Sequence, residues 1–296
     1  MKAVAFTEYG GPEVLRVMEL DDPHPGPGQV RVRVKAAGVQ PFDAAVRAGW
    51  EPPGIELKWP RVPGNEFAGI IDEVGPDVPE AIGTEVLGFT AVQAYAEYVV
   101  VPAANVTPKP PEMPWEVAGG FTAGTQTAAL AMENLDVRAG ETVLIHAAAG
   151  SVGTAAVQLA ILRGAKVIGT ASESNQDYVR ELGATPIVYG EGLKQRIQEA
   201  APHIDAILDG AGGEALTISL ELVKDRVLTL VDHGREGAKV IQGERKAERL
   251  ADLAALYAKG DLRFHIRCTY PYTDAVEAHR EIDTRHGRGK IVITFP

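Results

Sequence analysis

Cysteine is nearly absent from this chain: Cys268 is the single one among 296 residues. One thiol excludes an intramolecular disulfide framework. It also excludes the usual structural zinc sites, which take two or more cysteines. The plain expectation for Cys268 is a buried thiol. Positive charge is in deficit, with 29 Lys+Arg against 40 Asp+Glu and a formal net charge of -11. A chain this acidic repels a phosphate backbone, so broad nucleic-acid binding is excluded. The histidines are scattered at His24, His146, His203, His233, His265, His279 and His286. None forms an H-x-x-x-H spacing, so each reads alone as a surface or satisfied core residue. A long uniform apolar run is also missing. The longest uncharged stretch, Thr142 to Leu162, carries His146, Ser151, Thr154, Gln158 and two glycines, unlike a membrane span. The start, Met1-Lys2-Ala3-Val4-Ala5-Phe6, reads as a strand and not as an export signal. The expected location is the reducing cytoplasm.

What remains suits an ordinary globular protein. Hydrophobic residues make up 45% and charged residues 23%, and the length fits one large or two medium domains. To about Pro114 the chain is rich in strand and turn signals. Val30 to Val34 alternates apolar and polar with the period of a half-buried strand. Phe67 to Gly75 and Ala96 to Val101 read as further strands, separated by proline and glycine clusters. This predicts a mainly antiparallel β domain. After the proline-rich stretch Pro108 to Pro114, helix and strand signals alternate to about residue 260. Helices are predicted over Trp115–Asn134, Val152–Arg163 and Asn175–Leu182, the last stopped by Gly183. Strands are predicted over Thr142–Ile145, Lys166–Thr170, Ala206–Asp209, Arg226–Leu230 and Lys239–Gln242. Alternation at this spacing implies right-handed βαβ units and a parallel sheet. The tail predicts a helix over Thr273–Thr284 and a strand over Lys290–Thr294 that packs back on the first domain.

The strongest chemical signal lies between Ile145 and Val157. A strand enters the small-residue turn Ala147-Ala148-Ala149-Gly150-Ser151-Val152-Gly153 and leaves as a helix. Small residues let a backbone approach a pyrophosphate, and the helix start offers free N–H groups and the positive dipole end. The match to G-x-G-x-x-G is incomplete: Ala148 stands at the first glycine, while Gly150 and Gly153 hold the others. The next strand ends Gly169-Thr170-Ala171-Ser172. Ala171 occupies the position where NAD-binding sheets carry Asp or Glu. With no carboxylate there, NADPH is favoured and NADH stays open. Ser172, Asn175, Tyr189 and Lys194 are the candidate groups for a 2′-phosphate. Gly210 and Ala211 follow a parallel strand and read equally as neighbours of the nicotinamide ribose or as a plain turn. His233, beyond the strand ending near Asp232, is a further cofactor candidate.

Several segments together resemble the medium-chain dehydrogenase/reductase family, in its zinc-free quinone oxidoreductase (ζ-crystallin-like) branch. They are Lys35 to Asp43, Val62 to Gly69, Ala147 to Gly153 and Arg288 to Val292. The resemblance covers nearly the whole chain. It implies an α/β fold: a GroES-like, mainly β catalytic domain (1–116 and 261–296) split around a Rossmann NADPH-binding domain (117–260), with the active site in the cleft. Zinc-dependent relatives carry a catalytic Cys in the first segment and Gly-His-Glu in the second. Here Gln40 and Asn65 stand at the Cys and His positions, and Glu66 alone cannot hold zinc. No metal is expected.

Without a metal to polarise a carbonyl, the accessible reaction is hydride transfer to an already electron-poor carbon of a quinone or an α,β-unsaturated carbonyl. Gln40, Asn65 and Thr127 are the polar groups available to orient that carbonyl. Asp43 reads more readily as a structural hydrogen-bond acceptor than as an acid or base. Trp50 and Trp59 either fill the pocket or pack loops. A non-catalytic NADPH-binding or crystallin-like protein is the competing reading, and a carbonyl-reducing alcohol dehydrogenase is a third. The resemblance also implies a homodimer or homotetramer, with Lys239-Val240-Ile241 as the pairing edge.

Overall fold

The computed structural model describes residues 1–55 and 58–296. In chain order its elements are β1 (Lys2–Ala5), β2 (Arg16–Glu19), β3 (Gln29–Val39), α1 (Pro41–Arg47), β4 (Glu66–Val74), β5 (Glu85–Phe89), β6 (Tyr98–Pro102), β7 (Val106–Pro108) and α2 (Trp115–Asn134). Then follow β8 (Thr142–Ile145), α3 (Ser151–Leu162), β9 (Lys166–Ala171), α4 (Gln176–Glu181), β10 (Thr185–Val188), α5 (Leu193–Ala200), β11 (Ala206–Asp209) and α6 (Gly213–Leu222). The last elements are β12 (Val227–Thr229), β13 (Lys239–Val240), α7 (Ala247–Lys259), β14 (Ile266–Pro271), α8 (Ala275–Asp283) and β15 (Lys290–Thr294).

The chain forms two compact units. One holds Met1–Ala123, Arg245–Ala258 and Ile266–Pro296; the other holds Gly124–Glu244 and Lys259–His265. Packing therefore assigns the first turns of α2 and nearly all of α7 to the β-rich unit, beyond the expected junctions near 116 and 260. The reason lies in two glycines. A Cβ on Gly119 would sit 2.5 Å from the Ala36 side chain, and one on Gly120 would sit 2.8 Å from Lys290 and 2.9 Å from Val292. The bare backbone of α2 thus lies directly on β3 and β15. Phe121 in turn meets Tyr257 of α7 edge to face at 5.8 Å.

The first unit is built on a sheet of order β14-β15-β3-β4-β5-β7, with β6 also paired to β3. Every pairing in it is antiparallel except β14 with β15. The length of β3 permits two partners on one edge: Gln29–Arg33 pairs with β6, and Ala36–Val39 pairs with β15. The strand β15 therefore returns to the first unit. The period-two residues Val30, Val32 and Val34 all face the core, which also takes Phe6, Leu15, Phe67, Ile71 and Tyr95. Trp59 packs in a loop cluster against Phe6 and Tyr9, and Trp50 packs on Phe42. Cys268 lies on β14 and is half-buried, not fully buried as expected. An edge strand covered on one face leaves its side chain partly accessible.

The second unit is a six-stranded parallel sheet of order β10-β9-β8-β11-β12-β13, flanked by its crossover helices. Strand order reverses beside β8, the first strand of this sheet, as in a doubly wound dinucleotide-binding fold. Its core gathers Leu144, Ile168, Ile187, Ile207 and Val227. Gly183, at φ +96°, ends α4 as predicted. The edge strand β13 is shorter than the predicted Lys239–Gln242. The side-chain amide of Asn134 takes the Gln242 N–H at 2.7 Å and donates to its carbonyl at 3.0 Å, which removes both groups from the ladder. Among the described residues no helix is long and apolar enough to cross a membrane.

Candidate functional site

In the second unit, β8 ends at Ile145 and the chain turns through His146 and Ala147, the latter at a left-handed φ of +57°. Non-glycine residues adopt this conformation at a cost of about 1 kcal/mol or more. Gly150 then caps α3 in extended conformation. Gly153 is required sterically: a Cβ there would run into the Ala147 carbonyl oxygen and come within 2.7 Å of the Ala148 Cα. The first N–H groups of α3, at Ser151, Val152 and Gly153, precede any intrahelical acceptor. Ser151 Oγ beside them is buried without a hydrogen-bond partner among the described residues. Ala148 is fully buried, and its N–H donates to the Thr170 carbonyl at 2.9 Å. It therefore sets the turn against β9. A small turn, open N–H groups and an unengaged hydroxyl together suit the pyrophosphate of a dinucleotide.

The ends of neighbouring strands converge on this turn. A Cβ on Gly210 would lie 3.2 Å from the His146 carbonyl and 3.5 Å from the Ala147 side chain. The turn is fixed by Asp209, whose Oδ1 accepts from the N–H groups of Ala211 at 3.0 Å and Gly212 at 2.9 Å. Its other oxygen accepts from Thr229 at 2.8 Å. His146 is a satisfied core residue, with Nδ1 2.9 Å from Thr170 Oγ1 and Nε2 3.1 Å from Ser219 Oγ. Burial lowers its pKa to about 4.

At the end of β9, Asn175 donates to Ser172 Oγ at 2.9 Å, and Ser174 lies 3.1 Å from the same oxygen. The Tyr189 N–H reaches the Ala171 carbonyl at 3.4 Å, and its side chain is exposed. The structure thus groups Ser172, Asn175 and Tyr189 near Ala171. Lys194 on α5 forms an exposed ion pair with Glu221 at 2.7 Å. His233 is exposed, with Nε2 3.2 Å from the Leu230 carbonyl. Thr127 is half-buried on α2 in the second unit, whereas Gln40 and Asn65 belong to the first.

In the first unit, Gln40 stands at the junction of β3 and α1. Pro41 fixes the first helical φ, and Asp43 accepts the Gln40 N–H at 3.0 Å, so α1 starts there. Asp43 is fully buried and also accepts from the Gly64 N–H at 3.0 Å and from Tyr95 at 3.1 Å. Burial nevertheless pushes its pKa up to about 7. It is a structural acceptor that ties α1 to the segment before β4. Gln40 and Asn65 meet: the Gln40 Nε2 donates to Asn65 Oδ1. Lys290 at the start of β15 donates to Gln40 Oε1 at 3.1 Å and forms an ion pair with Glu66. Glu66 also accepts the Ala123 N–H at 2.6 Å. Arg245 donates to the Asn65 backbone carbonyl at 3.0 Å.

These contacts fix the polarity of both amides. An ammonium only donates, so the Gln40 carbonyl faces Lys290. Its NH₂ then faces Asn65, whose own carbonyl accepts. Among the described residues Asn65 Nδ2 is left as a donor without a hydrogen-bond partner. The sequence pointed to Gln40 and Asn65, but not to Arg245, which sits in the charged run Glu244-Arg245-Lys246 and reads as surface. His279 was likewise unmarked. It is fully buried beside Tyr95, and its Nδ1 lies 3.0 Å from Arg47. Burial and Arg47 lower its pKa to about 3.

Residues 26–111 match the family model of the alcohol dehydrogenase GroES-like domain, and residues 182–293 match that of the zinc-binding dehydrogenases. The quinone oxidoreductase of Pseudomonas aeruginosa is 30% identical over 99% of both chains. The chain belongs to the quinone oxidoreductase branch of the medium-chain dehydrogenase/reductase family. A solved structure of the Coxiella burnetii quinone oxidoreductase superposes with a TM-score of 0.89 at 28% identity, covering 100% of this chain and 99% of that one. The spectinabilin polyketide synthase system protein NorB of Streptomyces orinoci is 35% identical over 91% of this chain, which spans 13% of that protein.

The family is one of pyridine-nucleotide-dependent oxidoreductases, and the second unit has the turn such a cofactor needs. Among the described residues the zinc named in the second family model finds no matching donor set at Gln40, Asn65 and Glu66. Gln40 and Asn65 are neutral amides bonded to one another, and Glu66 is held by Lys290. Among the described residues no three His, Cys, Asp or Glu side chains gather as a metal site.

Proposed function

We propose that the chain is an NADPH-dependent, metal-independent reductase that delivers hydride to a quinone or an α,β-unsaturated carbonyl. The observation that carries this reading is the Gln40–Asn65 amide pair, anchored by Lys290 and Glu66, at the two positions where zinc-dependent relatives bind metal. Such a pair offers hydrogen-bond donors and no Lewis acid, so the acceptor must already be electron-poor. The turn Ala148 to Gly153 would hold the pyrophosphate. Gly210 and Ala211 would border the ribose. Ser172, Asn175 and Tyr189 would meet a 2′-phosphate, with Lys194 contributing only after leaving Glu221. When bound, the nicotinamide supplies the hydride. The protein's part is orientation: Asn65 Nδ2 holds the substrate oxygen. The short exposed edge β13 is the proposed contact for a homodimer or homotetramer.

The test is cofactor oxidation with a panel of quinones and enones, run with NADPH and with NADH. Turnover with NADPH preferred supports the reading. Tight NADPH binding with no turnover on any acceptor supports a non-catalytic binding protein instead. Stoichiometric zinc in the purified protein, with activity lost to a chelator, would support a carbonyl-reducing alcohol dehydrogenase.

A further inference from the structure

Arg245 stands out among the charged groups of the first unit. The segment before α7 brings it, partly buried, to the backbone of Asn65. A guanidinium carries five N–H donors. One of its nitrogens, Nη1, is engaged, on the Asn65 carbonyl, and no guanidinium nitrogen is both buried and unpartnered. The carboxylates that act on its charge are Glu66 and Asp43, and neither forms an ion pair with it. Glu66 is already paired with Lys290, and Asp43 is surrounded by the donors Gln40, Gly64 and Tyr95. A partly buried cation, held on the Asn65 backbone with its remaining donors not sealed off, is arranged for an oxygen anion that the described residues do not supply.

We infer that Arg245, together with Asn65 Nδ2, binds the carbonyl oxygen of the substrate and stabilises the negative charge it gains during reduction, which makes an enone or quinone oxygen the group this site recognises. The inference rests on the reductase reading above. In that reaction the β-carbon of an enone accepts a hydride and forms the new C–H bond. The C=C pair shifts to the bond between the α-carbon and the carbonyl carbon. The C=O pair moves onto oxygen, giving an enolate. A solvent proton at the α-carbon then restores the carbonyl, so the cofactor is oxidised and the substrate reduced by two electrons. Charge develops on oxygen during hydride transfer, so a fixed cation there acts chiefly on kcat.

The experiment compares wild type, Arg245→Gln and Arg245→Lys with NADPH and two acceptors, 2-cyclohexenone and 1,4-benzoquinone. Gln retains a donor for the Asn65 carbonyl without the charge, and Lys retains the charge. The expected result is a fall in kcat of about 100-fold for the Gln variant. KM and NADPH affinity should change less than about threefold, and the Lys variant should recover part of the loss. A second readout needs no turnover. Wild type should bind 4-nitrophenol as its yellow phenolate below the solution pKa, as a cation at the site requires, and the Gln variant should not. Thermal melting of each variant shows that folding is kept. If the Gln variant keeps kcat within about threefold while wild type turns over, or binds the phenolate as wild type does, Arg245 merely pins a backbone carbonyl and the inference falls alone. If wild type binds NADPH but reduces neither acceptor, the reductase reading falls and this inference with it.

Discussion

Replacing Lys290 by methionine tests how the amide pair is held. The side chains of Lys290 and Glu66 are 3% and 0% exposed, so the ion pair is buried. Methionine fills similar volume but leaves the Glu66 carboxylate with the Ala123 N–H as its remaining partner. An uncompensated buried charge of this kind costs about 3–5 kcal/mol. A unit of this size shifts its melting temperature by about 2–4 °C per kcal/mol, so a fall of roughly 6–20 °C is expected. Adding Glu66→Gln removes the stranded charge, and the double variant should regain most of the loss. The two changes are thus strongly non-additive, as expected for groups in contact. Function should not return with stability. Once Lys290 is gone, nothing dictates which way the Gln40 amide points, and Asn65 loses its fixed donor direction. The assay is calorimetry on wild type, both single variants and the double variant, with turnover measured alongside. A drop below about 3 °C in Lys290→Met, or simple additivity in the double variant, would refute the buried-pair argument.

Three further outcomes follow from the same structure. Gly153→Val should weaken NADPH binding by at least about tenfold in titration calorimetry, because its side chain meets the Ala147 backbone; unchanged affinity would remove the turn from the cofactor site. His279 titrates near 3 in the fold against an ordinary 6.5. Its contribution to stability is therefore complete above about pH 6.5 and is lost as pH falls toward 3, with a slope of at most about 1.4 kcal/mol per pH unit. His146, lowered to about 4, acts in the same direction, and His279→Gln should flatten the acid limb of urea midpoints plotted against pH. Asp43 works oppositely. Raised from 3.8 to about 7, it holds a proton in the fold that the unfolded chain releases, so stability is lost as pH rises between those values. Asp43→Asn should therefore make the rise in stability from pH 4 to 7 steeper, and an unchanged profile would count against a protonated Asp43.

Much of this was legible from residue pattern. The alternation in Val30–Val34 and the strand–turn–helix at Ile145–Val157 each depend on local periodicity, and local periodicity survives in the fold. The two zinc-position residues were legible because their motifs lie in continuous sequence. What was not legible depends on contacts between distant segments. Lys290 reaches Gln40 across 250 positions, and Arg245 reaches Asn65 across 180. Nothing near either cation marks it as buried. Lys194 is a similar case. It read as a phosphate ligand, and no local pattern marks the exposed ion pair it forms with Glu221 on α6. The unit boundary inside α2 was hidden for a related reason. A continuous helix gives no local sign of where its packing partners change, and only the contacts of Gly119 and Gly120 reveal it.

The charges of the first unit also bear on the direction of its chemistry. Glu66 and Lys290 cancel one another at close range. Asp43, raised to about 7 by burial, carries only part of a negative charge near neutral pH. Arg47 is matched by Asp283 at 2.8 Å. Among the described residues Arg245 forms no ion pair, which leaves a positive charge in the neighbourhood of Asn65 even though the chain carries a formal net charge of -11. Such a charge favours a neutral acceptor that becomes negative over a ground state already charged. It disfavours a substrate that must build positive charge on the same atom. Hydride transfer to an enone or quinone has the required sign, because the charge appears only as the reaction proceeds.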